Sequence, residues 1–455
     1  MSLVRDKVVR IITSEYSENN AWNVNGNSGN MNNNNKYNGN VVRPVVELDR
    51  DRINGWMEAY AICIGNKMGS EQCVLYRLHE EDLPNLMQEC EERRYVPSMS
   101  ICFCVEIPKV REIFAAACRD RIVQHWICLR LEPLFEERFA EQGNVTWNCR
   151  KDCGTRRAVE ALRSDIVEVS MSYTRKAWVG RFDIASFFMS IDIRILEWLA
   201  LEFVREKYHK DDKELLIYLL MVTIRHRPQD NCEKRGDMHL WKLLPKSKSL
   251  FHAERHRGLP IGNITSQLLA NFYMSYLDEY MVGLCKPIGA RYERFVDDFA
   301  VVCERKEEVL MLRDRAKAFL EEKLNLTMHG DKQYIQDVTK GVYFVGYVIK
   351  MERIYIARRT LNGLRNRLME MEECLRDGKS FGLMEAYELE HLLSSVNSYL
   401  GLMRNTMSYG MRREAFGRIC HRFFDFVYVK GRFEVARVKR EYSINHQLLI
   451  AENYG

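Results

Sequence analysis

The chain has 455 residues, enough for three domains at about 150 residues each, and its 46% hydrophobic and 29% charged residues exclude a chain that is disordered, collagen-like or membrane-embedded as a whole. Lys and Arg number 68 against 63 Asp and Glu, a net charge of +5, which is compatible with a nucleic-acid partner without establishing one.

In chain order, residues 19–40 (NNAWNVNGNSGNMNNNNKYNGN) are nearly all Asn and Gly, a composition that cannot bury enough apolar surface to offset chain entropy. Residues 1–45 are therefore expected to be a tail or linker. A helix is predicted over 80–94 and an apolar strand over 99–106. Residues 108–135 read as a basic turn, a short strand and an amphipathic helix. The basic loop CRKDCGTRRAV (149–159) opens another helix.

Short apolar strands then alternate with helices: a strand at 177–183, helices from Ile193 and Lys213, a helix over 265–282, strands within 291–302, a helix over 306–324 and strands near 343–350. Such alternation predicts an α/β (α+β) chain with helices on one face of a mixed sheet. Beyond Ala357 the pattern is helical to about Val429, which predicts a separate helical lobe.

No N-terminal apolar stretch precedes a cleavage site, and the longest apolar run, LLIYLLMVTI (215–224), is too short to span a bilayer. A cytoplasmic address and no membrane partner are expected. The 14 Cys are scattered and read as reduced core thiols. The close pairs Cys102/Cys104 and Cys149/Cys153 each offer half a zinc site with no second half nearby.

Three segments carry the chemistry. In GRFDIASFFMSID (180–192) apolar residues flank Asp183 at a strand end, and in YERFVDDFAVV (292–302) two apolar strands are joined through Asp297 and Asp298. Carboxylates beside Phe295, Val296 and Phe299 are costly to bury without a cation. Two of them about 4 Å apart repel by roughly 4 kcal/mol at an effective dielectric of 20. Paired Mg²⁺ ions with oxygen ligands would remove that repulsion and suit phosphoryl transfer. An Asp-Asp pair alone carries little information: Asp211-Asp212 in YHKDDKE reads as a solvated helix start. Spacing therefore leaves 297–298 open between a metal site and a structural pair. Third, GLPIGNITSQLLANFYMSYLD (258–278) reads as an open turn followed by an amphipathic helix capped by Thr265 or Ser266.

In this order, FDIASFF, GLPIGNITSQ, FVDD, a Lys-bearing strand pair and FVGY resemble the reverse transcriptase family from about residue 108 to the C-terminal lobe. SKSLF (247–251) followed by Ile261-Gly262 and Ser266-Gln267 is most similar to the reverse transcriptases of diversity-generating retroelements. The resemblance implies a right-hand polymerase. Its fingers and N-terminal palm would occupy 46–180, its catalytic palm 181–350 with a finger-side insertion at about 206–256, and an all-helical thumb 351–455.

It implies RNA-directed DNA synthesis from dNTPs on an RNA template with a DNA or RNA primer, supported by two Mg²⁺ with Mn²⁺ as a substitute. Asp183, Asp297 and Asp298 would be the catalytic carboxylates, with the Ile184 carbonyl completing the metal ligands. Phe188 would stack under the incoming sugar. Lys109, Arg111 and Lys332 would hold the triphosphate, beside Ile261, Gly262 and Gln267 at the nucleotide. Gly346 would turn the hairpin that grips the primer.

Two positions depart from the family pattern. Phe295 replaces the commoner Tyr, and Ile261 replaces a side chain able to hydrogen-bond the nucleotide. Losing such a contact forfeits roughly 1–3 kcal/mol of discrimination, so low fidelity is expected. The Asn-rich segment resembles the tail that template repeats encode in such elements, with a flexible linker as the alternative. Arg404, Arg412 and Arg413 begin a basic, aromatic-interleaved stretch suited to the template-primer backbone. A small basic helical accessory protein is a further expected partner, and no endonuclease cluster follows. The alternatives are a defence-associated or group II intron-like reverse transcriptase and, from another class, a catalytically silent nucleic-acid-binding scaffold.

Overall fold

The computed structural model describes residues 50–447, apart from 66–75, 77–81, 107–108, 332, 376–382, 405, 420–421 and 445. The Asn-rich segment and Lys332 lie outside the described residues. The helices and strands in chain order are α1 (Arg50–Gly65), α2 (Asp82–Glu91), β1 (Ser100–Val105), β2 (Arg111–Ala115), α3 (Cys118–Glu141), α4 (Thr155–Val169) and β3 (Trp178–Phe182). Next come α5 (Phe187–Ser190), α6 (Ile193–Lys207), α7 (Lys213–Arg225), β4 (Cys232–Arg235), α8 (Met238–Leu243), α9 (Ile264–Cys285), β5 (Arg291–Phe295), β6 (Asp298–Cys303) and α10 (Lys306–Lys323). The chain continues through β7 (Tyr334–Asp337), β8 (Val342–Phe344), β9 (Tyr347–Ile349), β10 (Ile354–Ile356), α11 (Arg358–Cys374) and α12 (Leu383–Met403). It closes with α13 (Tyr409–Gly417), α14 (Phe423–Phe426), β11 (Val427–Lys430) and β12 (Val435–Val438). Among the described residues no helix is long and apolar enough to cross a membrane.

The described residues fall into two compact units. The first takes those within 50–144, 184–280 and 316–328; the second takes 145–183, 281–315 and 329–447.

The first unit is mainly helical. Its core is set by aromatic residues at helical spacing: Trp56 of α1 stacks on Trp126 of α3 at 5.1 Å, and Phe135 of α3 stacks on Phe272 of α9 at 4.4 Å. A small sheet of order β2-β1-β4 accompanies it, with β1–β2 antiparallel and β1–β4 parallel. Asp212, expected to be solvated, instead accepts Arg130 Nε at 2.7 Å and the Tyr208 hydroxyl at 2.6 Å. The preceding Asp211 is the exposed member of the pair. Helix α9 begins at Ile264, one residue before the first expected cap, so Thr265 and Ser266 lie buried in its first turn.

The second unit is built on an antiparallel sheet of order β5-β6-β3-β7. Helix α4 packs on β5 and β6, and its apolar side, Ala158, Val159, Leu162 and Ile166, is buried. That core is continuous with Leu364 and Leu368 of α11, Val396 and Leu400 of α12, Phe416, Phe423 and Ala436. The C-terminal residues thus share one core with the sheet, and they are not all helical as expected. β10 pairs with β9, and β11 pairs with β12 around a turn at Gly431, where φ is +63°. The β-branched Val427, Val429, Val435 and Val438 favour extended backbone there, while the surrounding helical periodicity hid so short a hairpin.

Candidate active site

Asp183 follows the last residue of β3, and its carbonyl accepts the His329 amide at 2.8 Å, which ends the strand's ladder. β3 pairs with β6 in a register that sets Phe182 against Phe299. β5 and β6 close on Phe295 against Asp298, leaving Val296 and Asp297 as a two-residue loop. The strand end and the loop therefore meet on one edge of the sheet. Asp183 is buried, Asp297 and Asp298 are half-buried, and the Asp297 carboxyl lies in hydrogen-bond contact with Asp183. Burial, then the charges of Asp183 and Asp298, push Asp297 up to about 7, because a second negative charge at this spacing is resisted.

Asp298 is turned to a cation of the chain itself. Arg181, two residues upstream of Asp183 and so on its face of the strand, donates from Nε at 3.1 Å and from Nη2 at 2.9 Å to one Asp298 oxygen. The Arg181 guanidinium lies 4.8 Å from the centre of the Tyr343 ring. Among the described residues no group of three or more His, Cys, Asp and Glu side chains is arranged to hold a metal ion. The donor chemistry nevertheless fits a hard divalent cation: Asp183, Asp297 and Asp298 all offer carboxylate oxygens, and burial together with the mutual repulsion of these acids raises Asp297, a penalty that a bound cation would relieve. Ile184 is buried and bridges Met328, and the following amide of Ala185 donates to Thr327.

In the first unit, the residues expected at the nucleotide gather around β2. The Phe114 amide donates to the Ile261 carbonyl at 2.7 Å, and the Leu259 amide donates to Phe188. Phe188 and Ile261 pack, half-buried, against the cluster of Cys102, Phe114, Met189 and Leu250. Gly262 has φ +119°, and a Cβ there would sit 2.6 Å from the Phe114 carbonyl oxygen. Lys109 and Arg111 are exposed ahead of and at the start of β2, and Gln267 is exposed in the first turn of α9. Glu112, fully buried on β2, accepts the Ser249 hydroxyl at 2.8 Å and the Leu250 amide, tying SKSLF to this strand.

Gly346 occupies the two-residue turn between β8 and β9 with φ +90°, after Val345 at +39°. Arg404 and Arg413 are exposed. Arg412 differs from expectation: it is 3% exposed, and its Nε and Nη1 find no hydrogen-bond partner among the described residues, with Glu434 4.0 Å away. Burial lowers its pKa. The helical spacing of 404, 412 and 413 gave no sign of which one faces inward.

Sequence reasoning missed Arg181, Glu112, Asn148 and Arg294. Only Arg181 left a signal, its period-two spacing from Asp183.

No family model matches the chain. It is 24% identical over 310 residues to protein YkfC of Escherichia coli (strain K12), covering 61% of this chain and 71% of that protein. It is 21% identical over 393 residues to the group II intron-encoded protein LtrA of Lactococcus lactis subsp. cremoris, covering 70% of this chain and 60% of that protein. Similar solved structures include apo telomerase from Candida tropicalis, with TM-score 0.43 and 12% identity over 70% of this chain and 58% of that one. Telomerase from Candida albicans with a fragment of telomeric RNA gives 0.42 and 12% over 72% and 57%. The chain spans about three fifths of the length of LtrA and of the telomerase chains.

Proposed function

We propose that the protein is an RNA-directed DNA polymerase that extends a DNA or RNA primer with dNTPs on an RNA template. The observation that carries this reading is the contact of Asp183 with Asp297 at the end of an antiparallel sheet, where two acids from distant stretches press against one another. Asp183, Asp297 and Asp298 would hold Mg²⁺ with the carbonyl of Ile184, and Mn²⁺ would substitute. When bound, such ions stabilise the charge of the attacking and leaving oxygens in phosphoryl transfer.

The chain's own groups bind and orient. Phe188 would lie against the sugar of the incoming nucleotide. Lys109, Arg111 and Lys332 would hold its phosphates, with Gln267 beside them. Ile261 and Gly262 would present an apolar side chain and open backbone where a hydrogen-bonding group would discriminate more sharply, which supports low fidelity and a diversity-generating retroelement type. Gly346, Arg404 and Arg413 would approach the template-primer. A small basic helical accessory protein and a cytoplasmic address complete this reading.

Primer extension on poly(rA)/oligo(dT) with Mg²⁺ tests it. Incorporation by the wild type and none by Asp297→Asn is the expected result. Equal signals from the two proteins would refute it and leave a silent nucleic-acid-binding scaffold, a second reading favoured by the hold of Arg181 on Asp298.

A further inference from the structure

The loop that carries Asp297 is strained at its first residue. Val296 has φ +60°, a left-handed conformation that is an outlier for a β-branched side chain. A two-residue hairpin loop with positive φ at its first position normally takes glycine there. A valine keeps this conformation only if its surroundings over-determine it.

Two buried polar side chains do so. The Val296 amide donates to Asn148 Oδ1 at 2.8 Å, and the Val296 carbonyl accepts Arg294 Nη1 at 2.9 Å. Asn148 is 5% exposed and Arg294 is 0% exposed. The strap that bears Asn148 is itself fastened to β5. The Arg294 amide donates to the Val145 carbonyl at 2.8 Å, the Trp147 amide donates to the Arg294 carbonyl at 3.2 Å, and Trp147 Nε1 donates to Glu293. Both backbone polar groups of the strained residue are thus met, each by a side chain that would be costly to bury without a partner.

We propose that Asn148 and Arg294 are positioning residues that clamp Val296 in its left-handed conformation and thereby aim the Asp297 carboxyl at Asp183. Without the clamp, Val296 relaxes to negative φ, the following peptide rotates, and Asp297 swings off the site. The inference rests on the polymerase reading for its consequence in catalysis, but the clamp itself can be read without catalysis.

The test uses the full chain as wild type, Asn148→Ala, Val296→Gly and the double variant. Primer extension gives kcat and the KM for dTTP, Mn²⁺ titration followed by electron paramagnetic resonance gives metal affinity, and hydrogen exchange reports the Val296 amide. In Asn148→Ala, kcat and Mn²⁺ affinity are expected to fall about tenfold, the worth of about 1.4 kcal/mol, while the KM for dTTP stays within about twofold. Glycine adopts left-handed backbone freely, so the double variant should return to within about threefold of Val296→Gly. A structural defect alone would not be repaired by a change in the turn.

The proposal is overturned if Asn148→Ala retains wild-type kcat and Mn²⁺ affinity, or if the double variant is no better than Asn148→Ala. Should Asn148→Ala fail to fold, wild-type hydrogen exchange decides: a protected Val296 amide supports the clamp, and exchange as fast as an exposed loop overturns it. A wild type that binds Mn²⁺ but never extends a primer refutes the polymerase reading, while Mn²⁺ affinity and exchange still judge the clamp.

Discussion

Replacing Gly262 by alanine tests the packing that holds the Ile261 loop on β2. A Cβ at this position would stand 2.6 Å from the Phe114 carbonyl oxygen and 2.9 Å from Ile113 Cγ2, on a backbone with φ +119°. The dihedral alone costs about 1–3 kcal/mol for a non-glycine residue. The oxygen is backbone, on a strand paired residue by residue with β1, so it cannot yield as a flexible side chain would. The loop must retreat instead and give up the 2.7 Å bond from the Phe114 amide to Ile261, about 1 kcal/mol more. The sum is about 2–4 kcal/mol. Gly143→Ala is the control, since Gly143 has φ +86° with nothing within 4 Å of a Cβ and should cost only about 1–2 kcal/mol. Urea denaturation of both variants gives the difference, and hydrogen exchange should show the Phe114 amide losing protection in Gly262→Ala alone. Equal destabilisation of the two variants, with Phe114 still protected, would refute the steric argument.

Two further outcomes follow from the charges. Burial alone would push Asp192 up, but hydrogen bonds from Arg194 and Asn325 outweigh it and hold the group down to about 2, below its ordinary 3.8. A depressed carboxylate adds stability above its unfolded pKa and loses it as pH falls through the folded one. Asp192→Asn should therefore be about 1 kcal/mol less stable at pH 7, allowing for solvent screening of the exposed Arg194. The deficit should shrink below about pH 4 and vanish near pH 2, and a constant deficit in pH-dependent urea melts would contradict this. Arg181→Ala removes the cation from Asp298 and should lower the stability of the metal-free protein by about 1–2 kcal/mol. Millimolar Mg²⁺ should recover more of that loss than it adds to the wild type, and equal thermal shifts in the two proteins would show that Arg181 does not stand in for the ion.

The sequence by itself determined the helices and strands flanking the site. Apolar runs around Asp183 and around Asp297 mark strand ends, and the periodic segments from Ile193, Lys213 and Lys306 become α6, α7 and α10 because local periodicity reports which side of an element is buried. GLPIG likewise marks an open turn before α9, though that Gly262 must lack a side chain follows only from the Phe114 carbonyl of β2 lying 2.6 Å from where its Cβ would be.

Only the tertiary structure decided the partners. Nothing in the chain order says that Arg181 holds Asp298, that Asn148, 148 positions before Val296, meets its amide, or that Arg412 rather than Arg413 turns inward. The short β11–β12 hairpin likewise became visible only when its valines found the core shared with α11 and α12. Such contacts arise from closing long loops onto a common sheet. Which polar group meets which is fixed by register and burial between distant segments, a quantity that no local pattern of residues encodes.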